Sequence, residues 1–129
     1  MGVPIAFYHP GDSLPPIDNN ISQQTDIMPS ILSYLNYYGT FTSFGKNLFS
    51  SSNDHIAFNY YNGFQLVQDQ YLLQFDGQRT TGLFNYVNDR LLKNNLKNEL
   101  AIKRDSMEIK IKAIIQQYHN RLIEDRLLP

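Results

Sequence analysis

Three histidines, with the hydroxyl and carboxylate side chains near them, are the material from which this 129-residue chain would have to build a chemical site. His9 closes a short apolar run, Gly2 to Tyr8, that is stopped by Pro10-Gly11. As the end of a strand in a parallel α/β sheet, where such sheets place their ligands, it is the candidate for contact with a substrate. Its plainer role is to cap the turn before Pro10-Gly11 through a backbone hydrogen bond. Ser50-Ser51-Ser52 followed by His55 puts hydroxyls near an imidazole. The likeness to a Ser-His pair is one of composition only, because a hydrolase triad also needs a third, orienting acid and a rigid strand-to-helix elbow. His119 falls in a long helical stretch, exposed or bonded locally. The absence of cysteine removes thiolate nucleophiles, thiolate metal sites and disulfides together. There is no phosphate-cradling glycine loop and no HExxH. Asn62-Gly63 and Asp76-Gly77 are turn chemistry, without the run of oxygen ligands that a calcium loop requires. No residue is therefore assigned to catalysis, to a cofactor or to a metal, and His9 alone is kept as a substrate-contact candidate.

The elements that would position these residues fall into two groups. Residues 1–49 read as the last pieces of a larger domain: the apolar strand before His9, the Pro- and Asn-rich loop 11–20, and a helix of about three turns from Thr25 to Tyr38. In that helix Ile27, Ile31, Leu32 and Leu35 recur at helical spacing, Thr25 or Asp26 caps the start, and Gly39 stands past the end where a left-handed residue is wanted. Pro29 is tolerable because it falls in the first turn. Residues 50–129 read as a C-terminal subdomain reached through the polar linker Ser50 to Asp54. Strands at His55 to Tyr61, Phe64 to Gln68, Tyr71 to Phe75 and Leu83 to Val87 are joined by Asn62-Gly63, by Gln68-Asp69-Gln70 and by a tight turn at Asp76-Gly77. They give a four-stranded antiparallel meander. From Asn98 to Leu127 there is neither Gly nor Pro. Leu100, Met107, Ile111, Ile114, Ile115, Tyr118 and Leu122 form one apolar stripe there, with the charges on a solvated face. That stripe is expected to cover one face of the meander, against residues such as Leu72 and Phe84. The fold class expected is α/β overall and α+β within this chain.

Composition narrows the partners. The net charge of −1 provides no basic face for a phosphate backbone or an anionic membrane, so no nucleic acid and no membrane contact is expected of this segment. No stretch approaches the roughly 20 apolar residues of a membrane span, and no signal-peptide layout opens the chain. Nine tyrosines and eight phenylalanines are enough to fill a sheet core, or to make a sugar-stacking surface on a stand-alone binding module.

Three blocks in order resemble the C-terminal part of the sulfatases and their phosphoglycerol-transferase relatives, the lipoteichoic-acid-synthase-like enzymes of the alkaline phosphatase superfamily. Pro4, Tyr8, Pro10 and Gly11 resemble the first; Ser22, Gln23, Asp26, Ile27, Pro29, Ser30, Leu32 and Leu35, followed by Gly45, Lys46, Asn47, Leu48 and Phe49, the second. Leu83, Phe84, Asp89, Asn95 and Leu96 resemble the third, with departures at Asn85, Arg90 and Leu92. The resemblance implies an alkaline-phosphatase-like fold and, in a longer parent, a divalent metal beside an activated Thr, Ser or formylglycine nucleophile. The Asp-His metal pair of that group would precede Val3, and Asp54-His55 lies where that pair does not belong. It further implies a membrane-anchored parent with an extracytoplasmic catalytic domain, whose missing N-terminal part is this chain's partner. The chain alone is expected to be inactive.

Overall fold

In the computed structural model, which describes residues 4–11, 14, 21–50 and 56–126, four short strands follow one another across a single sheet. They are β1 (Ile56–Tyr60), β2 (Phe64–Gln68), β3 (Tyr71–Phe75) and β4 (Thr80–Asn85), every neighbouring pair antiparallel. The expected meander is present. The register decides which side chains share a face, because partners across an antiparallel pair point the same way. Phe58, Leu66, Leu73 and Leu83 make one row, and Tyr60, Phe64, Phe75 and Thr80 the next on the same face. Ala57, Val67, Leu72 and Phe84 make a row on the opposite face.

The turns follow their residues with two adjustments. β1 ends at Tyr60 rather than at the expected Tyr61 and joins β2 through the three-residue loop Tyr61, Asn62 and Gly63, in which Asn62 and Gly63 take positive φ, 50° and 124°; Asp69 takes 55° between β2 and β3. The β3–β4 connection is a four-residue loop rather than a two-residue turn: the Asp76 carboxylate accepts the backbone N–H groups of Gln78 and Arg79, both at 2.8 Å, and Gly77 has φ 105°. The longer loop comes with a register irregularity at Gln74/Phe75, so β4 begins at Thr80 and ends at Asn85. Tyr86 and Val87 fall in the turn that follows, which corrects the expected strand end.

The long helix α2 (Ala101–Ile123) lays Met107 and Ile111, both fully buried, on Leu66, Leu73, Phe75 and Leu83. This is the core. Each such side chain contributes about 1.5–3 kcal/mol on leaving water. Leu100, Ile114 and Ile115 pack at its margin. Leu72 and Phe84 lie on the other face, because a strand's side chains alternate and Leu73 and Leu83 already point at the helix. The expected contact of α2 with them is thus corrected. Tyr118, expected in the core, is 44% exposed and its ring lies 5.8 Å from that of Phe44. The helix is shorter than the Asn98–Leu127 stretch: Asp125, with φ 53°, ends it in a Schellman turn in which the N–H of Arg126 reaches the carbonyl of Arg121.

Residues 4–9 form no strand and pair with nothing in the sheet, which corrects the expected buried strand. Phe7 instead packs edge-on against Phe49, the ring centroids 5.3 Å apart. A 3-10 turn, Gln24–Asp26, leads into a short helix α1 (Ile27–Tyr34). The helix is shorter than expected because Asn36, not Gly39, takes the left-handed position, at φ 52°, and the N–H of Tyr37 closes on the carbonyl of Leu32. This N-terminal part leans on the sheet's first edge, where the Gln23 amide oxygen accepts the N–H of Phe58 at 2.7 Å. The far edge is closed as well. Leu83 donates its N–H to the side chain of Asn95 and accepts the N–H of Leu96, so neither outer strand is left wholly open for pairing.

Candidate functional site

The most developed polar site is built on Asp26, whose side chain is fully buried at the junction of the 3-10 turn and α1. A buried carboxylate must have its oxygens satisfied, and here backbone amides do it. One oxygen accepts the N–H of Gln23 and the other the N–H of Lys46, each at 2.9 Å. One turn further along the same helix face, the fully buried Ser30 donates its hydroxyl to the carbonyl of Asp26 at 2.6 Å and accepts the N–H of Leu48 at 2.9 Å. Gly45 lies against this network so closely that a Cβ would fall 1.9 Å from the carbonyl oxygen of Thr25. Only glycine fits. Asp26, Ser30, Gly45, Lys46 and Leu48 therefore clamp the loop of residues 43–49 onto α1.

What this arrangement can do chemically is hold backbone. Each carboxylate oxygen is occupied by a backbone amide. The sequence pointed to Thr25 or Asp26 as the cap of the helix's first amides; the Asp26 carboxylate instead accepts the N–H of Gln23, the cap of the 3-10 turn, and reaches across twenty residues to Lys46, as Ser30 reaches Leu48. The available signal was a pair of polar residues four apart, Asp26 and Ser30, which share one face of the helix with Pro29.

His9 is placed elsewhere. It is exposed and lines a shallow groove of about 250 Å³ with Phe7, Leu14, Ile31, Tyr34 and Phe49. Its ring lies 5.9 Å from that of Tyr34, and no backbone hydrogen bond to it appears among the described residues, so the expected capping role is not seen there. His9 and Asp26 belong to separate sites. Asp54, His55, Ser51 and Ser52 lie outside the described residues, and His119 is exposed on α2. Among the described residues no three His, Asp or Glu side chains gather closely enough to hold a metal ion.

Two other features carry chemistry. Glu108 on α2 accepts the hydroxyl of Thr80 at 2.6 Å and the ammonium of Lys112, and these bonds, Lys112 first, hold its carboxyl below the ordinary range. Lys112 also lies over the Phe75 ring, 5.5 Å from its centre. Half exposed, it joins helix to sheet at the border of the solvated face. On the sheet face away from α2, a groove of about 370 Å³ is lined by Tyr61, Asn62, Gln65, Gln74, Asp76 and Thr81.

The polar residues of the third sequence block likewise hold backbone. Asp89 accepts the N–H of Asn94 at 2.7 Å, and Asn95 and Leu96 bind the backbone of Leu83. Compared with known proteins, the chain matches no family model, no curated sequence and no solved structure.

Proposed function

We propose that this chain is the C-terminal portion of a metal-dependent enzyme of the sulfatase superfamily, nearest in its motifs to the phosphoglycerol transferases of the cell envelope, and that it serves there as scaffold. The observation that carries this reading is the clamp. Asp26, Ser30, Gly45, Lys46 and Leu48 are residues on which the resemblance rests, and they are bonded to one another across two sequence blocks. Shared motif residues that hold backbone are what a framework piece keeps. The catalytic pieces, a divalent metal, its Asp-His ligands and a Thr, Ser or formylglycine nucleophile, would then come from sequence upstream of Val3. The parent would be membrane-anchored with its catalytic domain outside the cytoplasm.

The partner in this reading is the rest of that catalytic domain, and its docking surface is the outer side of α1 and the chain before it. Tyr8, Met28, Ile31 and Leu35 are all exposed there, with Tyr8 at 86% and Leu35 at 64%. Apolar side chains so grouped are normally covered. A sulfate-ester hydrolase would use the same framework. A stand-alone binding module, the second reading, is favoured only by the amide- and tyrosine-lined groove at Tyr61 and Gln74. That module would have needed the first apolar segment to pair in its own sheet, and residues 4–8 do not.

Turnover is the test. A longer polypeptide carrying the upstream sequence should hydrolyse phosphodiester or sulfate-ester substrates only with a divalent metal, while the 129-residue chain shows no metal-stimulated turnover of aryl phosphates or aryl sulfates. Activity in the short chain that vanished on His9→Ala would overturn the proposal. So would an upstream sequence without nucleophile and metal blocks.

A further inference from the structure

The outward face of α2 is not the charged, solvated surface that a helix exposed on one side normally presents. Positions 102, 106, 109, 113, 116, 120 and 123 are all exposed, and they hold Ile, Ser, Ile, Ala, Gln, Asn and Ile. Ile102, Ile109 and Ile123 are 89%, 70% and 82% exposed. The steps between these positions alternate four and three, the spacing of a two-stranded coiled-coil seam, while the core stripe through Met107 and Ile111 lies on the other side of the helix. The charges stand beside the seam: Lys103, Lys110 and, at the cap, Glu124 along one flank, Asp105 and Lys112 along the other. In its middle, Ala113, Gln116, Gln117 and Asn120 border a groove of about 350 Å³ closed at one end by Arg121, Glu124 and Arg126. Four residues at that spacing are the hole into which a facing helix inserts one side chain.

We propose that this face is a self-association seam, on which a second copy of the chain lays its own α2 in a parallel, two-fold-related coiled coil. Charge complementarity selects the occupant. In that register Asp105 faces Lys110 of the second copy and His119 faces Glu124 of the second copy, Lys112 faces the neutral Gln117, and no like charges meet. Ser106 and Ala113 are small enough for the backbones to come close. Asn120 meets Asn120 of the second copy, the buried amide pair that fixes register and strand number. An antiparallel seam would set the Asn120 amide against Ile109 and leave it unpaired. From Ile102 to Ile123 the seam is about 32 Å long at 1.5 Å per residue, at the small end of stable interfaces, so association at tens to hundreds of micromolar protein is expected. The inference does not depend on the enzyme assignment, because it uses only α2.

Sedimentation velocity of the full chain across that concentration range should show a reversible monomer–dimer equilibrium. Ile109→Glu places two carboxylates in the seam and should weaken it about a hundredfold or more, with circular dichroism and melting of the dilute protein unchanged. Leu35→Glu, on the exposed side of α1, should leave the dimer intact. Because the chain has no cysteine, Asn120→Cys should cross-link rapidly under mild oxidation, as a pair of facing positions does, whereas Arg79→Cys should not. A monomer at several hundred micromolar would overturn the proposal. Self-association abolished by Leu35→Glu but not by Ile109→Glu would overturn it too, as would an Asn120→Cys variant that dimerises without cross-linking.

Discussion

At the scale of single residues, the polar groups with the most bonds are the ones that hold backbone, and each predicts a measurable loss. Asp26→Asn keeps the volume but turns an NH₂ group toward an amide that needs an acceptor. It should destabilise the chain by about 1–3 kcal/mol and expose the amides of Lys46 and Leu48 to hydrogen exchange before the sheet opens. A residue with only a catalytic role would leave stability unchanged. Glu108 predicts a pH dependence. Its folded-state pKa lies below the ordinary value of 4.5, through Lys112 and then Thr80, so the stability it contributes is fully present above that value and lost as pH falls through the depressed folded one. Acid unfolding curves of wild type and Glu108→Gln should therefore differ at neutral pH and converge toward strong acid.

Among the elements, the sheet and α2 form the stable unit, because the fully buried apolar side chains, Leu66, Leu73, Leu83, Met107 and Ile111, lie between them. Ile111→Ala should cost about 2–5 kcal/mol, read from denaturant midpoints, as a cavity in a packed site does. Ile115→Ala should cost less than Ile111→Ala, since Ile115 is only partly buried at the margin. Gln116→Ala, exposed on the outer side, should stay within about 0.5 kcal/mol at low protein concentration. Helix α1 is different in kind. It is two turns long, too short to persist by propensity, and is held by the Asp26 and Ser30 clamp and by the contact of Tyr34 with Phe49, on which Phe7 packs.

For the whole molecule, this difference sets an order of opening. Hydrogen exchange should show the N-terminal part, residues 21–50, opening at lower free energy than β2, β3 and the middle of α2. The exposed apolar side of α1 should bind a hydrophobic dye, and Ile31→Ser with Leu35→Ser should reduce that binding. Protection of residues 21–50 that outlasted α2 would reverse the order and tell against the proposed division at Ser50 to Asp54.

The sequence alone determined what depends on neighbours in the chain. Asn62-Gly63 and the alternating aromatic segments specify hairpins locally, so β2 and β3 begin and end where the residues say, and the Gly- and Pro-free stretch before Asp125 specifies one long helix. Tertiary structure decided what depends on register and on distant partners. Leu72 and Leu73 are adjacent and equally apolar, and only the pairing of Leu73 with Leu66 and Leu83 places one beneath α2 and the other on the far face. Asn36 rather than Gly39 ends α1 because a left-handed asparagine two residues past the helix already satisfies its last carbonyls. The Asp26 clamp was legible only as a cap, since its second oxygen is satisfied by an amide twenty residues away. Periodicity along one helix cannot encode a contact of that length; the close approach of Gly45 to Thr25 does.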